Sequence, residues 1–403
     1  MVLELHSGLE FHPDQDEEFF SLLPPRPAVC LISSREPTAE PYLIRTADLR
    51  RRLQRLLGPP EPASKRLNLR EFAHQVQYRE TGSAFEQAYA YYHNAKQIFP
   101  KRYREMMRLR PAPMLKVNLR NAYPRCFVTR RIVVNEQGQP VSGVYYGPFA
   151  SRRSAEAFAE KMLDFFKVRR CQIKIRRDPA FPGCIYSEMK MCLAPCFAGC
   201  SKEEYDVEVN RLVQFLETGG SSLRDALSHD REFASEQMEF EKAAAVHKKL
   251  ERLDDALRLQ PDLARRVQNL DAVVLQRTAE TQSIALFAVR GGRLAEPFWL
   301  RFEETSKPAS AEETVRDYLE GVMNAPLPTN PNVRQSATEL GEHLGLLARW
   351  FFSNPREGEI FFREQDWPYR RILRACSRLL ASKSEPAKES GRREEKSARE
   401  EKQ

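Results

Sequence analysis

Residues 171–200 read CQIKIRRDPAFPGCIYSEMKMCLAPCFAGC, and this stretch holds five of the eight cysteines of the 403-residue chain. Four of them are spaced as Cys171-x12-Cys184-x7-Cys192-x3-Cys196, with Pro195 directly before the last. Clustered thiols in a reducing compartment are usually metal ligands. Four thiolates satisfy either one zinc ion or an iron–sulfur cluster. The wide spacing, without paired C-x2-C knuckles, favours the iron–sulfur cluster, and zinc stays the alternative.

Length and charge indicate several domains, one of which is strongly basic. A chain of 403 residues exceeds one ordinary hydrophobic core and predicts roughly two to four domains. Between Arg45 and Arg131 there are 20 Lys or Arg against 6 Asp or Glu, whereas the whole chain has a net charge of only +8. This basic segment favours a polyanionic partner such as DNA. A solvated basic surface without a partner is the alternative.

The first twenty residues bear on the compartment. They are acidic, whereas secretory and organellar leaders are basic. The chain also lacks a run of about 18 apolar residues that a membrane span requires. We therefore expect a cytoplasmic protein that has no membrane partner.

Apolar periodicity predicts an α+β multidomain fold around the cysteine stretch. Runs at 28–32 and 42–44 predict a β-hairpin, and further strands are predicted at 114–117, 126–129, 144–146, 272–275 and 283–289. Helices are predicted at 47–57, 83–97, 151–168, 201–217, 311–324 and 334–352, and a helical hairpin at 222–258. The last residues are charged and lack large apolar side chains, which predicts a disordered tail.

Five stretches resemble, in the same order, the C subunit of the UvrABC excinuclease, the UvrC family, which makes the incisions in bacterial nucleotide excision repair. They are YPRCFVTRR at 123–131, YGPF at 146–149, CLAPC at 192–196, MEFEKAA at 238–244 and FAVRGGR at 287–293. The resemblance implies that Cys171, Cys184, Cys192 and Cys196 hold a 4Fe-4S cluster. It also implies the cytoplasmic partners of that family, DNA and UvrB.

The resemblance divides the chain into six parts. These are a lead-in at 1–22, a degenerate GIY-YIG-like α/β nuclease module at 23–112, a strand and helix region with the cysteine cluster at 113–202, a helical region with a UVR-like hairpin at 203–258, a partial α/β region resembling the start of the RNase H-like half at 265–381, and the charged tail at 382–403. We use the terms N-terminal module, middle region and C-terminal region for 23–112, 113–202 and 265–381.

The N-terminal module departs from the nuclease motifs of the family. Where the family has Gly-Val-Tyr and Tyr-Val-Gly-Lys, this chain has Ala28-Val29-Cys30 and Tyr42-Leu43-Ile44-Arg45. The metal-binding glutamate falls on or near Tyr92, the motif asparagine becomes Arg104, and Glu86 is the nearest upstream carboxylate. Because phosphodiester cleavage needs a cation held by a carboxylate, we expect impaired incision and no divalent metal. Tyr42, Arg45 and Arg52 remain as catalytic remnants that can grip a phosphate.

The helical hairpin at 222–258 resembles the UVR motif by which the family contacts UvrB. Apolar residues recur at helical spacing on a charged background, and the predicted partner-binding residues are Phe233, Phe240, Ala244, His247 and Leu250. An isolated hairpin buries too little surface to be stable alone, which favours docking on a partner. An internal packing hairpin is the alternative.

These observations lead to one main hypothesis and two alternatives. The main one is a UvrC-like nucleotide excision repair protein that binds DNA and UvrB with impaired incision. The first alternative is an active excinuclease subunit with a rearranged GIY-YIG site, using Glu86 as the metal ligand. The second is an interaction protein stabilised by an iron–sulfur cluster or zinc, without a DNA role. Whether the chain is an enzyme is left open by the sequence.

Overall fold

Three antiparallel sheets and the helices packed on them make up the described part of the chain. The structure is a computed structural model that describes residues 5, 7–36, 38–60, 66–302, 308–326 and 332–381. This architecture confirms the α+β class. The tail at 382–403 lies outside the described residues. Within the described ranges, none of the helices has both the length and the apolar character that crossing a bilayer requires.

The first sheet forms the N-terminal module and has the strand order β1-β4-β2-β3. Its elements are β1 (Ser7–Glu10), α1 (Asp16–Leu22), β2 (Ala28–Ser33), β3 (Tyr42–Thr46), α2 (Leu49–Leu57), β4 (Gln75–Glu80), α3 (Ala84–Ile98) and α4 (Tyr103–Met107). The predicted hairpin is confirmed as the antiparallel pair β2–β3. The segment read as a lead-in is structured in part, because β1 pairs with β4 at the edge of this sheet.

Two helices of the N-terminal module pack on opposite faces of its sheet. Cys30 of β2 lies in an apolar cluster with Leu49 and Leu53 of α2. The neighbouring Val29 and Leu31 lie in the cluster that contains α3. This alternation follows from the two-residue period of a β-strand, and it gives the module two distinct layers.

The second sheet, of order β6-β5-β7-β8, forms the middle region. Its elements are β5 (Met114–Val117), β6 (Cys126–Thr129), β7 (Val144–Gly147), α5 (Arg152–Leu163), α6 (Ile185–Glu188), α7 (Lys202–Glu217) and, later in the chain, β8 (Arg265–Arg266). The predicted capping box is confirmed, since Ser201 and Glu204 cap the start of α7 reciprocally. The helix predicted over 151–168 ends at Leu163, before the cysteine loop.

The predicted helical hairpin is confirmed as α8 (Ser221–Glu236) and α9 (Phe240–Leu257). It is inserted between α7 and β8. Its inner face, including Leu223, Val246 and Leu253, packs in the apolar cluster of the middle region. The hairpin is therefore attached at both ends to the core that carries the cysteines.

The third sheet, in the C-terminal region, has the order β11-β10-β9-β13, with β12 paired to β10. Its elements are β9 (Ala272–Arg277), β10 (Ser283–Arg290), β11 (Arg293–Leu294), β12 (Phe298–Arg301), α10 (Pro308–Asn324), α11 (Val333–Phe351), β13 (Glu359–Phe362) and α12 (Tyr369–Ala381). Of these, β13 and α12 were not predicted. β13 pairs antiparallel with β9.

A shared apolar core joins the N-terminal module to the C-terminal region. Phe85 of α3 meets Phe287 of β10 edge to face, with 5.0 Å between ring centroids, and lies 5.4 Å from Trp350 of α11. Tyr89 also packs on Phe287 at 5.5 Å. Aromatic pairs of this kind bury large areas, so α3 is held between its own sheet and the C-terminal region.

Candidate functional site

The four predicted metal ligands lie in one loop between α5 and α7. Cys184 directly precedes α6, and Cys196 lies in a short 3-10 helix over Pro195–Phe197. All four cysteines are free thiols, of which Cys196 is buried and the others are half-buried. The backbone is left-handed at Ala194 and Ala198, on either side of Cys196. These turns fold the second half of the loop back on itself.

The thiol of Cys192 lies within electrostatic reach of the other three. Burial raises the pKa of Cys192 to about 11, and the charges of the three other cysteines add to the rise. The backbone N–H of Ala194 donates to its Sγ at 3.3 Å. As the side chains stand, the described residues contain no group of three or more His, Cys, Asp or Glu arranged to hold a metal ion. The four sulfur donors nevertheless have the chemistry that zinc or an iron–sulfur cluster requires.

Arg169 and Tyr205 fix the start of the cysteine loop. The Arg169 guanidinium, which is almost fully buried, donates to the carbonyls of Tyr123 at 2.8 Å and Ile173 at 2.9 Å. The Tyr205 hydroxyl accepts from the Arg169 backbone N–H at 3.0 Å and donates to the Pro124 carbonyl at 2.7 Å. Contacts within the protein therefore tie the loop to α7 and to the β5–β6 connection.

The three catalytic remnants do not form one centre. The Arg45 guanidinium lies 5.8 Å from the ring centroid of Tyr91 on α3. Tyr42 packs against the apolar cluster on the opposite, α2 side of the sheet. Arg52 belongs to α2 itself. The strand alternation thus separates Arg45 from the other two, which the motif comparison alone did not reveal.

At the position of the family's metal site, Tyr92 and Arg104 hold a carboxylate from another part of the chain. One oxygen of Glu342, on α11, accepts from the Tyr92 hydroxyl at 2.9 Å. The other accepts from the Tyr103 hydroxyl at 2.9 Å and from Arg104 Nε at 2.8 Å. We term these four residues the Glu342 clasp. Burial, together with the charge of Glu342, raises the pKa of Tyr92, so the phenol stays protonated and donates.

The Glu342 clasp leaves little for a divalent cation. Glu342 is 5% exposed, and both of its oxygens are engaged by donors. The Lys96 ammonium lies 5.3 Å from the centroid of the Tyr92 ring and pairs with Glu339 at 2.5 Å. A cation such as Mg²⁺ requires free carboxylate oxygens and several waters. Here it would meet a buried, hydrogen-bonded carboxylate flanked by the positive charges of Lys96 and Arg104.

Glu86, the nearest other carboxylate in the motif region, caps α3. It is 1% exposed and accepts from the Gly82 backbone N–H at 2.8 Å. Burial raises the pKa of Glu86 to about 7, although the Gly82 N–H and the Arg79 charge oppose the rise. Six residues, about 9 Å of helix, separate it from Tyr92. This geometry argues against a rearranged metal site built on Glu86.

Sequence comparison missed Glu342 because α11 lies outside the stretches that carry the resemblance. A signal was nonetheless present in its composition. The run LGEHLGLLARW at 340–350 is apolar on most faces, which indicates a buried helix. A glutamate in a buried helix needs hydrogen-bonding partners. The sequence did not indicate which residues those were.

The hairpin exposes apolar side chains around its turn. Phe233, Met238 and Phe240 are 52%, 77% and 69% exposed. We term the exposed set the tip face: Phe233, Met238, Phe240, Ala244 and His247. Leu250 corrects the predicted set, because it is 8% exposed and packs inward with the middle region. It lies on the inner face of α9 and is not available to a partner.

Removal of the clasp carboxylate should destabilise the joint between the two regions. In Glu342→Ala the buried hydroxyls of Tyr92 and Tyr103 lose their acceptor, so we expect the free energy of unfolding to fall by about 3 kcal/mol. Glu342→Gln keeps an acceptor oxygen and should cost less, about 1 kcal/mol. Urea unfolding measures both. The control is Glu313→Ala, on the exposed side of α10. Equal stability of Glu342→Ala and this control would contradict the clasp.

Comparison with known proteins gives a consistent result. A family model described as "UvrC/Cho excinuclease, middle domain" matches residues 112–215, which include β5 to α7 and the cysteine loop. The UvrABC system protein C of Thermoanaerobacter sp. (strain X514) is 26% identical over 253 residues, which is 62% of this chain and 39% of that protein. The one of Carboxydothermus hydrogenoformans is 28% identical over 278 residues, 68% of this chain and 43% of that protein.

A third relative, the UvrABC system protein C of Chlamydia abortus, is 29% identical over 196 residues, 48% of this chain and 31% of that protein. The chain thus spans about two fifths of the length of the curated relatives it matches. No solved structure matches it. The middle-domain match and these relatives show that the chain belongs to the UvrC family.

Proposed function

We propose that this UvrC family member acts in nucleotide excision repair by binding DNA and UvrB, and that its N-terminal module does not incise DNA. The observation that carries the proposal is the Glu342 clasp. It occupies, with a carboxylate already bound to protein donors, the place where the family's nuclease would bind its metal.

The chemistry of phosphodiester cleavage supports the absence of incision. Cleavage needs a cation to stabilise the developing charge and a base to generate the nucleophile. Tyr92 and Tyr103 are buried and donate their protons to Glu342, so neither is free to act as a base. The raised pKa of Glu86 leaves it partly protonated near neutral pH, which makes it a poor metal ligand.

UvrB binding is supported by the tip face. Phe233, Met238 and Phe240 expose large apolar areas, and such patches mark interaction sites. The core-facing side of the hairpin is already packed, so a partner would add to the outer side. The MEFEKAA sequence at 238–244 runs through this face and carries the resemblance to the UVR motif. The partner chemistry is an apolar helical surface.

DNA binding is supported by charge. The excess of Lys and Arg between Arg45 and Arg131 covers most of the N-terminal module and the start of the middle region. Phosphate contacts by such side chains supply most of the affinity of proteins for DNA in general. With no working cation site in the module, these contacts would hold DNA without cutting it.

Cys171, Cys184, Cys192 and Cys196 would hold a 4Fe-4S cluster, with zinc as the alternative. The cluster would supply iron–thiolate bonds that cross-link the loop. Its positive iron ions would also offset the repulsion among the four thiolates. Arg169 and Tyr205 already position the start of the loop, so the cluster would complete a partly organised site.

Anaerobic purification tests the cluster. We expect a brown protein that absorbs near about 400 nm and contains about four irons per chain. Cys192→Ala should lose the colour. Cys200→Ala, which removes a buried cysteine of the same stretch outside the proposed ligand set, should keep it. A colourless wild-type protein that contains zinc would contradict the iron–sulfur proposal.

Substitution of Phe240 tests the UvrB partnership. Phe240→Glu places a charge in the exposed apolar tip face, so we expect UvrB affinity to fall at least tenfold, as for loss of an aromatic anchor. Biolayer interferometry with immobilised UvrB measures the change. Val207→Glu adds the same charge at a residue of α7 that is 60% exposed, and it should bind like the wild type. Equal binding by both variants would overturn the assignment of the tip face.

A further inference from the structure

Two arginines from distant parts of the chain lie beside each other at the seam between β3 and α11. Arg45 leaves β3 toward α3 and lies over the ring of Tyr91. Arg349, near the end of α11, donates to the carbonyls of Met107 at 3.4 Å and Arg108 at 2.9 Å, at the end of α4. Both side chains are exposed.

The Glu342 clasp determines where Arg349 lies. Arg349 follows Glu342 by seven residues, about two helical turns, so both project from the same side of α11. That side faces the N-terminal module, because Glu342 contacts α3 and α4, and Arg349 contacts the end of α4. The clasp thereby brings a cation of the C-terminal region to the edge of the module.

The two guanidinium groups repel each other. Burial lowers the pKa of Arg349, and the positive charge of Arg45 lowers it further. Among the described residues, neither arginine has a carboxylate within ion-pairing distance, although many other arginines of the chain do. A pair of like charges without a counterion is unfavourable. An anion placed between them would remove that cost.

The backbone hydrogen bonds of Arg349 also fix its orientation. Two carbonyls hold its terminal nitrogens, and the Arg45 side chain is held over an aromatic ring. Cations restrained in this way lose less side-chain entropy when they bind. Guanidinium groups match the oxygens of phosphate by forming paired hydrogen bonds.

We propose that Arg45 and Arg349 together bind a phosphate of the DNA backbone at the seam between the N-terminal module and the C-terminal region. The proposal rests on the DNA-binding function proposed above and names one of its contacts. The site takes a phosphodiester without cleaving it. It requires both regions, because each contributes one arginine.

Equilibrium binding of a fluorescein-labelled DNA duplex to the full chain, at several salt concentrations, tests the site. We expect Arg45→Gln and Arg349→Gln each to weaken binding about three- to tenfold. The double variant should lower the slope of log affinity against log salt by about one, the change for one phosphate. Arg349→Lys, which keeps the charge but not the paired geometry, should fall between Arg349→Gln and the wild type.

Arg334→Gln is the matched control, since Arg334 is an exposed arginine on the same helix, at its other end. It should bind DNA like the wild type. If the wild type itself fails to bind DNA, the proposed function is overturned together with this site. If the wild type binds and Arg45→Gln and the double variant behave like Arg334→Gln, the seam site alone is overturned. Arg45 is exposed, so its variant reports even if Arg349→Gln folds poorly.

Discussion

A single buried carboxylate, that of Glu342, constrains how the two ends of this chain meet. Burial of an ionised carboxylate is costly unless donors surround it, and Tyr92, Tyr103 and Arg104 supply them. These donors occupy positions where the nuclease motifs of the UvrC family place catalytic chemistry. The same contact therefore fixes α11 on the N-terminal module, removes the metal site and positions Arg349 at the edge of the module.

The middle region shows a different kind of constraint, in which one core serves two surfaces. The hairpin α8–α9 leaves the sheet after α7 and the chain returns to it through β8, which pairs with β7. The inner side of the hairpin shares the apolar cluster with α5 and α7. The tip face is consequently presented to solvent by the same core that anchors the cysteine loop through Tyr205. We infer that the cluster stabilises the support of the UvrB-binding surface, not a catalytic site.

Local signals in the sequence predicted much of the fold. The capping box at Ser201 and the β2–β3 hairpin depend on neighbouring residues and are confirmed. The edge strands β1 and β13 were missed because short strands carry little pattern of their own. The inward orientation of Leu250 and the pairing of Tyr92 with Glu342, 250 residues away, depend on tertiary packing, which helical periodicity and motif spacing do not encode. The cysteine spacing predicted one metal centre, and it stays a prediction.

An incision assay tests the central claim most directly. The full chain, UvrB and Mg²⁺ are incubated with an end-labelled duplex that carries a defined lesion, and the strands are resolved on a denaturing gel. Because the carboxylate at the former metal position is already held by Tyr92, Tyr103 and Arg104, the account predicts the same strand lengths with and without the protein. Mg²⁺-dependent cleavage that disappears in Glu86→Gln would contradict it.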